Sequence, residues 1–310
     1  MKIKTVALIG AGAVGAYFIQ GLAGLDDIDF TLIAQGDRKI RLSSQGVMIN
    51  DIVYHPKVKT PQEAYGTDLI LIAVKYNAIE EASKMAASMT AEHTMILSVL
   101  NGLDSESIVG KEAGMEHMLY SLMRIQAWRE GDNILFDPKV TAGLFFGEKS
   151  STGDKSDRVC AVEALFEGTG VRCTYVPNME GEMWNKYAGN ISRNIPQAML
   201  GVGCGAYEDS EHVARISDML MKEVHDVARA MGIIIPPSVS SGSSSFKTVD
   251  RSARFSTLQD LDAGRHTEVE MLLGNLIGLA QSVNVEVPFC TFSYHFIKAL
   301  EEKNDGKFAY

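Results

Sequence analysis

Residues 4–15 read KTVALIGAGAVG, and this stretch decides the fold. The apolar run Lys4–Ile9 predicts a short buried strand, and the helical-looking sequence AYFIQGLAG follows the last glycine. A G-x-G-x-x-G pattern between a strand and a helix is typical of the first turn of a dinucleotide-binding domain. In that turn Gly10 makes the tight bend, Gly12 lets the backbone approach a pyrophosphate, and Gly15 lets helix and strand pack closely.

The glycine pattern therefore predicts a phosphate-binding turn at the start of a helix, where unpaired N–H groups face the ligand. A turn that serves packing only is the alternative. The predicted dinucleotide-contacting residues are Gly10, Ala11, Gly12, Ala13, Val14 and Gly15.

Composition restricts the class of protein. The chain has 310 residues, of which 46% are hydrophobic and 22% charged, as expected for a soluble globular protein with room for two domains. A formal net charge of -10 argues against nucleic acid or an anionic membrane as the main partner. The N-terminal apolar segment is short and lacks a cleavage site, so we expect neither a signal peptide nor a membrane span, and a cytoplasmic protein.

Cysteine and histidine spacing gives no metal or disulfide pattern. The cysteines are far apart in sequence and suit reduced thiols: Cys160, Cys173, Cys204 and Cys290. His266, Glu268 and Glu270 lie close together, but no second histidine stands at helical spacing. We therefore predict no metal site.

The end of the second predicted strand bears on the choice of cofactor. An acidic residue after Asp29–Ala34 would hold the ribose 2′-hydroxyl of NAD, but Gln35 stands there. Arg38, Lys39 and Arg41 follow, and cations at this point suit a 2′-phosphate. The sequence favours NADP over NAD, the alternative being a solvated first turn of the next helix.

Two further apolar runs predict buried parallel strands at Asp68–Val74 and Thr94–Leu100. Lys75 follows the first, and Asn101-Gly102 follows the second. Open α/β sheets bind ligands at the carboxyl ends of their strands, which makes Lys75 and Asn101 candidate site residues. A surface lysine and a turn asparagine are the plainer alternatives. Further predicted elements are strands at Asn133–Asp137, Thr141–Gly147 and Val171–Val176 and a helix at Asp157–Phe166.

The pattern becomes helical after residue 177, so we predict domains at 1–177 and 178–310. Pro177–Gly201 is the most informative helix, with Asn178 as a plausible N-cap and Gly201 as its stop. Residues four apart share a face. One face is polar and the other apolar: Glu182, Lys186, Asn190 and Asn194 against Met183, Tyr187, Ile191 and Ile195. Pro196 predicts an end or a kink near Ser192–Ile195.

Three features follow in the second half. Ser210–Met231 predicts an amphipathic helix. The low-complexity stretch Ser238–Ser245 predicts a connection between helices, and a lid over a site is the alternative. Gly264–Thr267 predicts the junction into a last long helix that ends near Ser282.

Several motifs follow one another along the chain. They are GAGAVG at Gly10–Gly15, Lys75, Asn101-Gly102, K-x-x-x-N-x-x-x-N at Lys186, Asn190 and Asn194, and STLQD through TEVE over Ser256–Glu270. In this order the sequence resembles the ketopantoate reductase (2-dehydropantoate 2-reductase) family over nearly its whole length. The resemblance implies an α/β fold with an N-terminal Rossmann-type doubly wound sheet and an all-helical C-terminal domain. It also implies reduction of a 2-keto acid by NADPH, with a small-molecule 2-keto acid as the binding partner.

The resemblance also implies residue roles. Lys186 matches the catalytic lysine and Glu268 the active-site glutamate. The implied substrate-binding residues are Asn101, Asn190, Asn194 and Ser256. The implied cofactor-binding residues beyond the glycine turn are Arg38, Lys75, Asn101 and Glu268. Hydride addition to a keto carbon places negative charge on the oxygen, and a lysine ammonium can both stabilise that charge and donate a proton.

Four departures from the family pattern keep alternatives open. Gln35 stands where arginine is frequent, and the common N-P-L-T-A becomes Asn194–Ala198, NIPQA. Cys204 and Ala253 replace substrate-side asparagines. A paralogue that acts on another 2-keto acid and a non-catalytic dinucleotide-binding sensor therefore remain alternatives, and the oligomeric state is open, with a homodimer among the options.

Overall fold

The structure is a computed structural model that describes residues 2–151, 153–236 and 250–308 of the chain. The chain divides into two compact units, Met1–Glu180 and Gly181–Tyr310. Within the described ranges no helix combines the length and apolar character needed to cross a membrane.

The first unit alternates strands and helices. Its strands are β1 (Thr5–Ile9), β2 (Asp29–Ile33), β3 (Val47–Ile49), β4 (Ile52–Tyr54), β5 (Lys57–Lys59), β6 (Leu69–Ile72), β7 (Met95–Ser98), β8 (Met118–Arg124), β9 (Ala127–Glu130), β10 (Asn133–Phe136), β11 (Gly143–Gly147) and β12 (Cys173–Tyr175). Its helices are α1 (Ala13–Leu22), α2 (Gly36–Gln45), α3 (Ile79–Met89), α4 (Ser105–Ala113) and α5 (Asp157–Phe166).

Eight of these strands form the main sheet, in the order β12-β11-β8-β7-β6-β1-β2-β5. The strands from β8 to β5 are parallel, whereas β11 runs antiparallel to β8. A smaller sheet has the order β4-β3-β10-β9. The centre of the main sheet is therefore the parallel group around β1, with the glycine turn at its carboxyl end.

Side chains of β1 alternate between two hydrophobic cores. Leu8 belongs to a core that also contains Phe18 of α1, and Ile9 belongs to a second core that contains Ile79 of α3. Successive residues of a strand point to opposite faces, so helices cover both faces of the sheet. The predicted doubly wound Rossmann-type sheet is confirmed.

The first unit contains strands that the sequence did not predict. Met118–Arg124 is β8, and its nearly continuous burial leaves no polar alternation to mark it as a strand. The three-residue strands β3, β4 and β5 are too short to show a period. The predicted helix Asp157–Phe166 is confirmed as α5, with the Ser156 hydroxyl accepting a hydrogen bond from a first-turn N–H.

The second unit is helical, and residues 181–236 and 250–308 contain no strand. Its elements are α6 (Met179–Leu200), α7 (Ala206–Asp209), α8 (Glu211–Ala230), α9 (Ser256–Asp262), a π-helical turn (Glu270–Gly274), α10 (Asn275–Ser282) and α11 (Pro288–Asn304). The first two residues of α6 belong to the first unit. The predicted all-helical second half is confirmed for the described residues.

Helix α6 continues through Pro196 to Leu200, so it does not end near Ser192–Ile195, and the alternative of a kink there stays a prediction. Proline removes one backbone hydrogen bond, but every residue from 194 to 198 is buried, and tertiary packing outweighs that loss. Gly201 has φ of +68° and donates its N–H to the Gln197 carbonyl at 2.9 Å, which confirms it as the stop. The predicted apolar face is confirmed as buried: Met183, Tyr187, Ile191 and Ile195.

The remaining helices follow the predictions in part. The Ser210 hydroxyl caps α8 by accepting from the Val213 N–H at 3.3 Å, as the predicted start requires. The predicted helix that ends near Ser282 is confirmed, but it is not the last, because α11 follows. The predicted connection Ser238–Ser245 lies outside the described residues.

Candidate functional site

The glycine turn between β1 and α1 has the geometry that a dinucleotide requires. Gly10 has φ of +111°, and a Cβ there would lie 2.4 Å from the Ala73 carbonyl oxygen. A Cβ on Gly15 would lie 2.0 Å from the Gly10 carbonyl oxygen, so helix and turn touch at this point. A Cβ on Gly12 would meet nothing within 4 Å. Gly10 and Gly15 are therefore needed for the fold, whereas Gly12 leaves an open approach to the backbone.

The first turn of α1 is suited to an anion. Gly12 is the N-cap residue, no side chain caps the helix, and no acidic residue stands in the first turn. The first N–H groups of a helix have no acceptor within it, and its N-terminus has a positive partial charge. Ala13 and Val14 are half-exposed, so this end of the helix can bind a phosphate.

Lys75 and Asn101 lie beyond the carboxyl ends of adjacent strands. β6 pairs in parallel with both β1 and β7, and the Ala73 N–H donates to the Ile9 carbonyl at 2.8 Å. Lys75 is exposed and Asn101 half-buried. Both residues thus stand on the sheet edge that also has the glycine turn, where the strand pattern predicts a ligand.

The residues after β2 differ in their availability for a ribose phosphate. Lys39 is 2.6 Å from Glu63 through its Nζ and the carboxylate Oε2, and Lys39 together with Thr60 lowers the pKa of Glu63 to about 2. Gln35 and Arg38 are exposed, and among the described residues Arg38 has no hydrogen-bond or ion-pair partner. Of the first two cations in the predicted cluster, Arg38 is therefore the available one.

A buried polar network lies beneath the β7 end, and the sequence did not predict it. The Ser98 hydroxyl donates to the Ser105 hydroxyl at 2.8 Å, and Ser105 donates to the Glu106 carboxylate at 2.9 Å. The Ser121 hydroxyl donates to the Ser98 carbonyl at 2.6 Å. Burial raises the pKa of Glu106 to about 7. Because acidic residues are common in the first turn of exposed helices, no sequence signal marked Glu106 as buried.

In the second unit, the polar face of α6 is half-buried in its middle and buried at both ends. Lys186 and Asn190 are half-buried, Asn194 is 8% exposed, and Glu182 is fully buried. The Asn194 Nδ2 atom lies 3.5 Å from the Ser256 Oγ atom, and Ser256 itself is exposed at the start of α9. Two of the predicted substrate-binding residues, 62 positions apart in sequence, therefore meet in space.

Glu268 is half-buried and lies directly before an irregular helix. Its carbonyl accepts the Leu272 N–H at 3.0 Å, and the π-helical turn covers Glu270–Gly274. Single π turns within helices are frequent at functional sites. The buried Tyr187 hydroxyl donates to the Leu272 carbonyl and lies 3.4 Å from the Met271 carbonyl. Tyr187 thereby ties the helix that contains Lys186 to the turn that follows Glu268.

The segment before Glu268 is held by a buried carboxylate. Glu301 accepts the Thr267 N–H at 2.7 Å and the Thr267 hydroxyl at 2.6 Å, and pairs with the Lys298 ammonium at 2.9 Å. The neighbouring His266 lies 3.0 Å from Asp305 through its Nε2 atom and 3.6 Å from Glu301 through its Nδ1 atom. Within the described ranges no group of three or more histidine, cysteine or acidic residues could hold a metal ion.

Comparisons with known proteins match both units of the chain to the same family. The family model described as ketopantoate reductase PanE/ApbA matches residues 6–141, and the model of its C-terminal part matches residues 178–301. Together these models span most of the chain. The chain belongs to the ketopantoate reductase family. A relative from Pyrococcus horikoshii, named 2-dehydropantoate 2-reductase, is 25% identical over 97% of this chain and 99% of its own length.

Solved structures share the fold of this ketopantoate reductase family member. A PanE/ApbA family ketopantoate reductase from Ralstonia eutropha has a TM-score of 0.81 at 22% identity, covering 97% of this chain and 99% of that one. A D-mandelate dehydrogenase solved with NADH and anilino(oxo)acetate has a TM-score of 0.80 at 18% identity, with coverage of 97% and 99%. The fold of these two enzymes is thus present over nearly the full length of the chain.

Proposed function

We propose that this chain is an NADPH-dependent reductase that converts ketopantoate (2-dehydropantoate) to pantoate, a step of pantothenate and coenzyme A biosynthesis. The observation that supports it most is the meeting of Asn194 with Ser256, on the helix face that contains Lys186. These side chains supply an amide, a hydroxyl and an ammonium group, which suit the carboxylate and carbonyl oxygens of a 2-keto acid. The names of the family and of its Pyrococcus relative support the same substrate.

The chemistry assigns a role to each of these groups. NADPH, when bound, supplies the hydride that adds to the keto carbon. Lys186 is the general acid: its ammonium stabilises the charge on the carbonyl oxygen and donates the proton. Glu268 orients that ammonium or accepts a hydrogen bond from a substrate hydroxyl. Asn190 and Asn194 hold substrate oxygens without adding charge, and Ser256 binds the carboxylate.

The first unit binds the dinucleotide in this proposal. The open backbone at Gly12 and the uncapped first turn of α1 fit a pyrophosphate. Arg38 binds the 2′-phosphate, because it is exposed and has no partner among the described residues. Lys75 and Asn101 also contact the cofactor. Asn101 has a second role in binding the substrate, and Glu268 has a second role in contacting the cofactor.

Replacing Lys186 by alanine tests the catalytic role. We expect kcat to fall by about 10²- to 10⁴-fold, the usual contribution of a general acid, while the Kd of NADPH is unchanged. Lys222→Ala is the matched control, because Lys222 is an exposed lysine of the same unit that pairs with Asp226. Equal losses of turnover and NADPH affinity in Lys186→Ala would argue against a general acid.

A second candidate is reduction of a different 2-keto acid by the same mechanism. Cys204 and Ala253, which replace substrate-side asparagines of the family pattern, favour it. NADPH absorbance with ketopantoate and then with a panel of 2-keto acids separates the two substrates. If NADPH is oxidised with none of these 2-keto acids, the result would favour the non-catalytic dinucleotide-binding sensor.

A further inference from the structure

Gln197 lies one helical turn beyond Asn194 on α6 and continues the polar face that begins at Glu182. Gln197 is 0% exposed, whereas Lys186 is half-buried. Gln197 therefore lies behind the residues that a substrate can reach. Because Gln197 is buried, it can influence a bound molecule only through the residues that it contacts.

The carboxamide of Gln197 binds the backbone before α9 in two directions. Its Nε2 atom donates to the Ala253 carbonyl at 3.0 Å, and its Oε1 atom accepts the Phe255 N–H at 2.5 Å. A carboxamide presents a donor and an acceptor together, as a peptide group does, so it can satisfy two backbone groups at once. Ser256, the first residue of α9, follows directly.

The same stretch is held from a second side by the turn after α6. The Cys204 N–H donates to the Ala253 carbonyl at 3.0 Å, and its thiol donates to the Asp250 carbonyl at 3.1 Å. The Gly205 N–H donates to the Arg251 carbonyl at 2.9 Å. The 250–256 segment is thus fixed by backbone contacts with the turn and by a side-chain clamp from Gln197.

The contact between Asn194 and Ser256 is sensitive to the position of this segment. Its 3.5 Å length is already at the limit of a hydrogen bond, so a small displacement of Ser256 breaks it. Because Gln197 binds the residues immediately before Ser256, its carboxamide sets where the Ser256 hydroxyl lies.

We propose that Gln197 is a positioning residue of the keto-acid site, whose carboxamide fixes the 250–256 segment and thereby holds the Ser256 hydroxyl beside Asn194. This inference rests on the proposed function, in which Ser256 and Asn194 bind the 2-keto acid. It gives a role to a position where the common family pattern has threonine, a side chain too short to bind both Ala253 and Phe255.

The first experiment compares Gln197→Met, which keeps the length of the side chain, with the control Ser192→Ala. Ser192 is a fully buried residue of the same helix, and among the described residues its hydroxyl contacts only the Gly189 carbonyl, at 3.4 Å. We expect Gln197→Met to raise the KM for ketopantoate about tenfold, with kcat changed less than about threefold and the Kd of NADPH unchanged. Ser192→Ala leaves all three constants near wild type.

A double-mutant cycle separates positioning from a merely structural role. In a Ser256→Ala background, Gln197→Met adds less than about twofold to KM, because the group that it positions is already absent. Thermal unfolding checks that each variant folds, and Gln197→Thr replaces Gln197→Met in the cycle if the latter does not fold.

The outcomes distinguish this inference from the proposed function. A wild-type enzyme that reduces no 2-keto acid overturns the proposed function and the positioning role together. An active wild type with an unchanged KM in Gln197→Met overturns the positioning role alone. Independent effects of Gln197→Met and Ser256→Ala on KM, or a loss confined to kcat, overturn it as well.

Discussion

Gly12 and Gly15 lie three residues apart in the same turn, yet the structure predicts opposite effects when each is replaced by alanine. At Gly12 the backbone has φ of -87° and ψ of -165°, which alanine adopts without strain, and the added methyl group meets nothing within 4 Å. At Gly15 the added Cβ would lie 2.0 Å from the Gly10 carbonyl oxygen. Gly12→Ala therefore tests ligand binding, and Gly15→Ala tests packing.

The expected magnitudes follow from these contacts. In Gly12→Ala the methyl group occupies the approach to the pyrophosphate, so we expect the Kd of NADPH to rise at least tenfold, or about 1.4 kcal/mol. The melting temperature of Gly12→Ala stays within about 2 °C of the wild-type value, because two small effects offset each other. Alanine stabilises the protein by restricting the unfolded chain, and it destabilises the protein because it is a poorer N-cap than glycine. In Gly15→Ala the backbone must move by roughly 1 Å, and such overpacking costs about 1–3 kcal/mol. A loss of about 2 kcal/mol lowers the melting temperature by roughly 4–8 °C.

Fluorescence titration with NADPH and thermal unfolding measure the two quantities on the same samples. Gly278→Ala is the matched control, because Gly278 lies in α10 of the other unit and an added Cβ there also meets nothing within 4 Å. Helix propensity predicts equal or higher stability for this variant and an unchanged Kd of NADPH. Wild-type NADPH affinity in Gly12→Ala would refute the assignment of the open backbone to the pyrophosphate. An unchanged melting temperature in Gly15→Ala would refute the packing argument.

Two further predictions concern charge. Arg38→Ala should weaken NADPH binding about tenfold and leave NADH binding unchanged. Lys39→Ala should have a smaller effect on NADPH binding, because Glu63 already pairs with the Lys39 ammonium. Equal losses of affinity for NADPH and NADH in a titration of Arg38→Ala would contradict this prediction. Burial raises the pKa of Glu106 from an ordinary 4.5 to about 7, so its contribution to stability is complete below pH 4.5 and is lost as pH rises to about 7. Between pH 5 and pH 8 the wild type should therefore lose on the order of 2 kcal/mol relative to Glu106→Gln in denaturant unfolding, and a constant difference would contradict it.

The glycine turn and the parallel strands were predictable because their signals are local. A strand, a turn and a helix within residues 4–22 give the Rossmann-type arrangement from neighbours in sequence alone. The faces of α6 follow from its period in the same way, and burial of Met183, Tyr187, Ile191 and Ile195 agrees. Of the two alternatives predicted for Pro196, an end or a kink, the end of α6 was wrong because burial of the residues around Pro196 outweighed the local rule.

The sequence proposes candidate site residues by type but does not indicate their contacts. The pairing of Lys39 with Glu63 joins residues 24 apart, and this contact decides which cation is available. The clamp between Gln197 and Phe255 spans 58 residues and leaves no pattern in either segment. Such contacts depend on how the elements pack.

By itself the sequence determined the strand, the glycine turn and the helix of residues 4–22 and the two faces of α6, because each depends on backbone geometry over a few consecutive residues. Only the tertiary structure decided that Asn194 meets Ser256, that Glu106 is buried and that Gln197 lies behind the polar face. Burial and hydrogen-bond partners are set by residues far away in the chain, and they determine which polar side chains are open to a ligand and which support those that are.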